Sequence, residues 1–277
     1  SGLYCSDAIT NARELRLKTP FGAHSGPITL GELGGVPCAF LPRHGRGHVV
    51  TPTEINQRAN MWALKSLGVE RVLAFSAVGS LKEELPPRTF VFPDQLVDRT
   101  KHRVSTFFGG GVVAHVALNP PFAPEQNKIV YECAVELGIK SAFGGIYCCM
   151  EGPAFSTQAE SEMHRACGFS LIGMTAATEA KLAREAEFVY SQAAMVTDYD
   201  CWKEGEEVSS QKVLENLFAN VANAQRLLEN AIAAAAGLPR QCRCAKALSG
   251  ALFTHPKAMN RKTVKKLKLL VGPYVRR

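Results

Sequence analysis

Two short segments of the chain hold residue types that bind an anion and an amino group. Arg43 and His44 stand together in a glycine-containing loop, where a guanidinium offers a planar fork for phosphate and an imidazole adds a donor. Asp198 and Asp200 lie at i and i+2 and point to the same side of extended backbone. Crowded buried carboxylates are costly, so a ligand that donates to both explains the pair. A solvated basic loop and exposed loop aspartates are the alternatives.

Three other positions combine a functional group with a predicted turn. Ser76 and Ala77 lie among small residues that let backbone N–H groups approach an anion, although this segment is not a P-loop. Thr175 precedes a predicted helix, where a hydroxyl and free N–H groups bind anions, but ordinary N-capping by Thr178 is an alternative. Phe155 offers a stacking face for a ligand, or else belongs to the core.

Short apolar segments rich in β-branched or aromatic residues predict buried strands. They are Val36–Leu41, Arg71–Ala77, Thr89–Val97, Phe143–Met150, Ser170–Met174 and Val189–Thr197. Apolar residues at helical spacing predict helices over Thr53–Leu67, Pro124–Leu137, Thr157–Ala166, Thr178–Glu187 and Ser210–Ala236. This alternation predicts an α/β fold, a single domain with a central mixed β-sheet flanked by helices. Ligands of such folds bind at the carboxyl ends of strands, where the candidate residues lie.

Charge is unevenly distributed along the 277 residues. The formal net charge is +7, but residues 237–277 carry eleven Lys or Arg and no Asp or Glu. We therefore predict a domain over residues 1–236 and a basic C-terminal extension over 237–277. The extension is the only feature that favours nucleic acid, and it lacks interleaved aromatics. We therefore expect a solvated helix and no nucleic-acid partner, with an RNA-binding element as the alternative.

The apolar and cysteine patterns indicate where the protein resides and whether it binds a metal. No run of eighteen apolar residues and no signal peptide occurs, so we expect a cytoplasmic protein without a membrane span. The nine cysteines show no zinc-like spacing, and we predict no metal site. Cys242 and Cys244 lie in a polar stretch and form either a disulfide or a pair of thiols.

Several ordered motifs resemble the trimeric purine nucleoside phosphorylases, and most closely the members that cleave 5′-methylthioadenosine. The resemblance runs from Ser1 to about Ala235. It is carried by Arg43-His44-Gly45, Pro52 with Asn56 and Ala59-Asn60, Ser76 to Ser80, Asp94-Gln95, Asp98-Arg99-Thr100, Glu151-Gly152-Pro153, Met174-Thr175 and Thr197 to Trp202. That family begins with an apolar strand that ends in a glycine-rich turn, whereas this sequence starts at the serine of the turn, and we expect a natural start upstream.

The resemblance implies a homotrimer with active sites near the subunit interfaces. It implies that phosphate is bound by Ser1, Arg43, His44, Ser76, Ala77 and Thr175. For the nucleoside it implies Met174 at the ribose, Phe155 on the purine, Asp198, Tyr199 and Asp200 around the base, and His115 and Leu214 at the 5′ substituent. His115 is expected from the neighbouring subunit, and Ser156 and Gln211 correspond to positions that tune substrate choice.

The residue types agree with phosphorolysis of an N-glycosidic bond. Phosphate on one face stabilises the cationic ribose and traps C1′, and Asp198 is our candidate general acid at N7. An ionised carboxylate accepts from a 6-amino group and repels a 6-oxo group. We therefore expect conversion of 5′-methylthioadenosine to adenine and 5-methylthioribose 1-phosphate, with no cofactor and phosphate as co-substrate.

Three alternatives remain open at this stage. Because Gln211 is polar where an apolar residue is common in the family, we expect some activity on adenosine. A 6-oxopurine nucleoside phosphorylase has the same fold with different base recognition. A nucleoside-binding protein without turnover is the alternative from another class.

Overall fold

The computed structural model describes residues 8–206 and 210–275. Its ten strands form two sheets. The strands are β1 Thr10–Leu15, β2 Ile28–Leu33, β3 Val36–Phe40, β4 Arg71–Ser80, β5 Phe90–Phe92, β6 Gln95–Asp98, β7 Ser141–Phe143, β8 Ile146–Cys149, β9 Leu171–Gly173 and β10 Val189–Asp198. The helices are α1 Gln57–Ser66, α2 Pro124–Glu136, α3 Gln158–Ala166, α4 Ala176–Glu185, α5 Ser210–Gly237, α6 Arg261–Lys266 and α7 Lys268–Val271.

The larger sheet has seven strands in the order β6-β8-β9-β4-β10-β5-β7. Its central pair, β4 and β10, runs parallel from Arg71 opposite Val189 to Gly79 opposite Asp198. The sheet is mixed, because β5 is antiparallel to β10 and β9 is antiparallel to β4. The smaller sheet is an antiparallel meander, β1-β2-β3. The predicted mixed α/β architecture is therefore confirmed.

Local capping chemistry sets where the helices begin. The Asn56 side chain accepts from Ala59 N and caps α1, so this helix starts at Gln57, four residues after the predicted start at Thr53. Thr51 to Glu54 form a turn instead. Thr157 and Glu160 form a capping box at the start of α3. Helix α4 begins right after Thr175, which leaves Thr178 inside its first turn. The alternative in which Thr178 caps this helix is wrong.

Two predicted strands are each divided in the structure. Thr89–Val97 separates at Pro93 and Asp94 into β5, which pairs with β10 and β7, and β6, which pairs with β8. Proline has no N–H to donate to a ladder, and the Pro93 carbonyl accepts from Asn127 on α2 instead. Phe143–Met150 separates at a pair of glycines with positive φ into β7 and β8.

The C-terminal residues pack onto the core, so their interpretation as a solvated helix is wrong. Leu248, Leu267, Leu270 and Val271 are each 2% exposed or less and join a cluster with Phe188. Burying four aliphatic side chains contributes on the order of 6 kcal/mol or more. Their basic neighbours face outward, as amphipathic segments require. Cys242 and Cys244 form a disulfide just before this segment.

Candidate active site

A cavity of about 1230 Å³ is lined by β3 and the loop after it, by β4, by the end of β10 and by one side of α5. It brings together most of the candidates predicted from the sequence. They are Arg43, His44, Ser76, Ala77, Phe155, Met174, Thr175, Asp198, Asp200 and Leu214. Arg43 and Asp198 are far apart in the sequence and line the same cavity.

The side chains around Arg43 form what we call the anion end of the cavity. Arg43 Nη1 donates to the Phe75 carbonyl at 2.9 Å and reaches Thr175 Oγ1 at 3.4 Å. Its Nε lies 2.7 Å from the carboxylate of Glu179, which is 4% exposed. Ser76 Oγ accepts from Gln192 Nε2 at 2.9 Å. A guanidinium and two hydroxyls therefore face the same space, as binding of a tetrahedral oxyanion requires.

His44 enters this end as a neutral ring. Burial is the main cause that lowers its pKa to about 4, and the neighbouring Arg43 and His48 act in the same direction. Its Nδ1 lies 2.9 Å from the Val50 carbonyl. Because a carbonyl only accepts, Nδ1 carries the proton, and Nε2 of the neutral ring is an acceptor. This differs from the donor expected from the sequence, and it suits the P–OH group of hydrogen phosphate.

Met174 also lines the cavity, and its position depends on Gly152 and Arg103. A Cβ added to Gly152 would lie 2.4 Å from Met174 Sδ, and Gly152 has a φ of +66°, so only glycine fits. Arg103 donates to the Met174 carbonyl at 3.1 Å and to Glu151 Oε1 at 2.7 Å. Burial alone raises the pKa of Glu151, but bonds from Lys101 N, Thr53 and Arg103 outweigh it and bring the pKa to about 2.

Asp198 and Asp200 form what we call the base end. Asp198 accepts from Thr197 Oγ1 at 2.7 Å and from Asp200 N at 2.9 Å. Burial is the main cause that raises the pKa of Asp198, and the adjacent Asp200 carboxylate adds to it. Gly79 permits this approach, since a Cβ there would lie 3.0 Å from Asp198 Oδ1. A raised carboxyl pKa is the property a general acid needs.

Asp200 has an unusual local environment. Its side chain is 3% exposed in a residue with a φ of +52°, which only a few non-glycine residues adopt. Its Oδ2 is buried without a hydrogen-bond partner among residues 8–206 and 210–275. Burying a carboxylate oxygen without a hydrogen bond lowers the free energy of unfolding by roughly several kcal/mol. We therefore expect a donor on a ligand to be its partner. An exocyclic amine supplies such a donor.

Four predicted site residues lie away from the cavity lining. Tyr199 donates to the Glu83 carbonyl at 3.3 Å, and buried Ser156 contacts Met150 Sδ at 3.8 Å. Gln211 is exposed and donates to Glu215 at 3.0 Å along α5. His115 is exposed, with its ring edge-on to Phe253 at 4.7 Å. The remaining candidate, Ser1, lies outside the described residues.

Sequence reasoning missed the buried residues that hold this site, namely Glu179, Gln192 and Arg103. The first lies one helical turn after Thr175, and that spacing was the available signal. The other two reach the site only through tertiary contacts. Within the described part of the chain, no group of three or more His, Cys, Asp or Glu residues is arranged to hold a metal ion. In the same part, no helix is long and apolar enough to cross a membrane.

Known proteins are similar to this chain in sequence and in fold. The sequence profile of the phosphorylase superfamily matches residues 4–233. The S-methyl-5′-thioadenosine phosphorylase of Koribacter versatilis is 50% identical over 277 residues, which cover 99% of this chain and 94% of the relative.

Two solved structures extend the comparison. A methylthioadenosine phosphorylase from an antarctic soil metagenomic library is 46% identical, has a TM-score of 0.93 and covers 98% of this chain and 96% of its own. A point mutant of adenosine/methylthioadenosine phosphorylase from Schistosoma mansoni, in complex with adenine, is 33% identical. Its TM-score is 0.85, with 92% of this chain and 96% of that chain covered. The chain therefore belongs to the phosphorylase superfamily and, within it, to the S-methyl-5′-thioadenosine phosphorylase family.

Proposed function

We propose that this chain cleaves 5′-methylthioadenosine with inorganic phosphate to adenine and 5-methylthioribose 1-phosphate. The observation that carries the proposal is the single cavity whose lining includes both Arg43 with Ser76 and Asp198 with Asp200. A nucleoside whose base meets the aspartates directs its sugar toward the anion end. The names of the similar phosphorylases support the same substrate.

In the proposed reaction a phosphate oxygen forms a bond to C1′ while the C1′–N9 bond breaks. The bonding electrons pass to the purine, and N7 takes a proton from Asp198. Arg43, Ser76, the Ala77 backbone and Thr175 hold the phosphate against the cationic ribose, and Ser1 completes this set in the proposal. Positioning and electrostatics supply most of the acceleration in such a reaction.

The proposed substrate contacts follow the order of residues along the cavity. Met174 lies at the ribose and Phe155, which is 47% exposed, packs on the purine. Asp200 Oδ2 accepts from the 6-amino group, since that oxygen has no partner in the described chain. Val213, Leu214 and Leu217 give the α5 side an apolar surface, which suits a methylthio group better than a hydroxyl.

We propose that adenosine is a secondary substrate and that the protein acts as a cytoplasmic homotrimer. His115 supports the oligomer, because its exposed ring and the 69% exposed Phe253 form an apolar pair outside their own cavity. A neighbouring subunit would bring this pair to the 5′ end of its partner's cavity. Sedimentation that gives a monomer mass at micromolar concentration would contradict the trimer.

The decisive assay measures adenine release from 5′-methylthioadenosine with and without phosphate. We expect release that requires phosphate and produces one methylthioribose phosphate per adenine. Inosine is the matched control, because the ionised aspartate repels its 6-oxo group. Faster turnover of inosine would instead favour a 6-oxopurine phosphorylase, and binding without release would favour a non-catalytic nucleoside-binding protein.

A further inference from the structure

A buried carboxylate lies behind the anion end and belongs to no substrate contact. Glu179, on α4, is 3% exposed. Its Oε1 lies 2.7 Å from Arg43 Nε and 3.5 Å from Gln57 Nε2, and its Oε2 accepts from the Tyr190 hydroxyl at 2.9 Å. Three elements, the loop after β3, α1 and β10, therefore meet at one carboxylate.

The same network reaches a second phosphate-binding candidate. The Tyr190 hydroxyl also lies 3.2 Å from Gln192 Oε1, and Gln192 Nε2 donates to Ser76 Oγ at 2.9 Å. Tyr190 and Gln192 are themselves 3% and 0% exposed. Arg43 and Ser76, which come from different elements, are thus joined through buried side chains without contact with solvent.

This arrangement restricts how Arg43 presents its donors. Glu179 occupies Nε, and the Phe75 carbonyl and Thr175 occupy Nη1, so the plane of the guanidinium is fixed on two sides. These three contacts use Nε and Nη1, which leaves Nη2 for an anion. The carboxylate also balances the charge of Arg43, which would otherwise be buried at a high cost in free energy.

We propose that Glu179 is a positioning residue for phosphate, which holds Arg43 directly and Ser76 through Tyr190 and Gln192. The proposal rests on the proposed function, because it assigns a role within that phosphate site. Glu179 does not line the cavity, and its contacts lead to Arg43 and Ser76 of the anion end, so we expect its effect to fall on phosphate. Its removal raises the KM for phosphate and leaves the KM for the nucleoside nearly unchanged.

The first test compares three variants of the full chain. Glu179→Ala is expected to raise the phosphate KM at least tenfold, with the nucleoside KM within threefold. Glu179→Gln restores most of the phosphate affinity, because its amide still accepts from Arg43 while Tyr190 turns its proton to Gln192. Glu185→Ala is the matched control: it removes another buried carboxylate of α4, which accepts from Thr106 Oγ1 and Phe107 N, away from Arg43. It should lower Tm and leave the phosphate KM unchanged.

Tyr190→Phe keeps the ring in place and removes only the hydroxyl, so it serves if Glu179→Ala does not fold. We expect about a fivefold rise in phosphate KM. An unchanged phosphate KM in this variant, or equal rises for both substrates, would overturn the proposal.

A double-mutant cycle shows whether Glu179 acts through Arg43. If it does, Arg43→Ala and Arg43→Ala/Glu179→Ala have the same phosphate KM within about twofold. If the double variant instead raises the phosphate KM by the product of the two single-variant effects, Glu179 does not act through Arg43 and the positioning role is overturned. Calorimetric titration of each variant with inorganic phosphate measures phosphate binding without turnover, so it tests the role of Glu179 independently of the proposed reaction. Phosphate binding that weakens on Glu179→Ala supports the inference even if wild-type protein releases no adenine.

Discussion

The anion end and the base end of the cavity are stabilised in different ways. Arg43 is paired with Glu179 and connected to Ser76 by side chains from several elements. Within residues 8–206 and 210–275, Asp198 accepts from its neighbours Thr197 and Asp200, and one buried oxygen of Asp200 has no hydrogen-bond partner. At the anion end the charge of Arg43 is neutralised by Glu179 without a ligand. At the base end a buried carboxylate oxygen is left for a donor on the ligand.

This difference indicates where specificity and catalysis come from. A preorganised anion end binds phosphate with little rearrangement, which favours positioning. An unsatisfied base end discriminates strongly, because a ligand without the matching donor leaves a buried acceptor unpaired. Burial keeps the titratable group of each end towards its neutral form, since it lowers the pKa of His44 and raises that of Asp198.

The largest effect is expected at the base end. Asp198→Asn removes the proton donor while keeping a similar shape, so kcat for 5′-methylthioadenosine should fall by about 10² to 10³. The phosphate KM should stay within threefold, because the anion end does not touch this residue. Steady-state kinetics with both substrates varied checks this. A kcat within tenfold of wild type would show that N7 takes its proton elsewhere.

The next effect concerns stability at the anion end. The pKa of His44 falls from its ordinary 6.5 to about 4, so the unfolded chain binds more protons between these pH values. Stability is therefore lost as the pH falls through this window. From pH 6.5 to 4.5 the wild type should lose up to about 2 kcal/mol more than His44→Asn. Urea unfolding at both pH values measures it, and parallel losses would contradict the buried neutral ring.

A smaller effect on substrate preference is expected from α5, where one residue lines the cavity and another lies on the surface. Leu214 lines the cavity, whereas Gln211 lies outside it and bonds to Glu215. Leu214→Gln should lower the preference for 5′-methylthioadenosine over adenosine about tenfold, as one apolar contact allows. Gln211→Leu should change the same ratio by less than about threefold. The ratio of kcat/KM values decides, and a larger change at Gln211 would mean that α5 turns this residue toward the substrate.

The sequence was most informative where function lies in local chemistry. Arg43, Thr175 and Asp198 were predicted because each follows a predicted strand. The structure brings them together from two sheets, since β3 leads to Arg43 in the smaller sheet and β9 and β10 lie on either side of β4 in the larger one. Glu179 and Gln192 were not predicted, since buried polar residues within elements reveal their partners only through tertiary packing.

The fold shows the same limit. The parallel core strands were located from apolar runs, but the division at Pro93 depends on which strands pair across the sheet. The β1 strand was missed because it is almost wholly exposed and carries no apolar alternation. The β2 strand was missed although it is partly buried, because Gly31 and Glu32 interrupt its apolar residues. The C-terminal segment was misjudged because its charge masks a narrow apolar stripe that the core covers.

A crystal structure with 5′-methylthioadenosine and sulfate tests the central claim most directly, since sulfate replaces phosphate without reacting. We predict one nucleoside that spans the cavity, its 6-amino group within hydrogen-bonding distance of Asp200 Oδ2, and sulfate on Arg43 and Ser76. Sulfate and nucleoside in separate cavities, or a purine turned away from the aspartates, would contradict it.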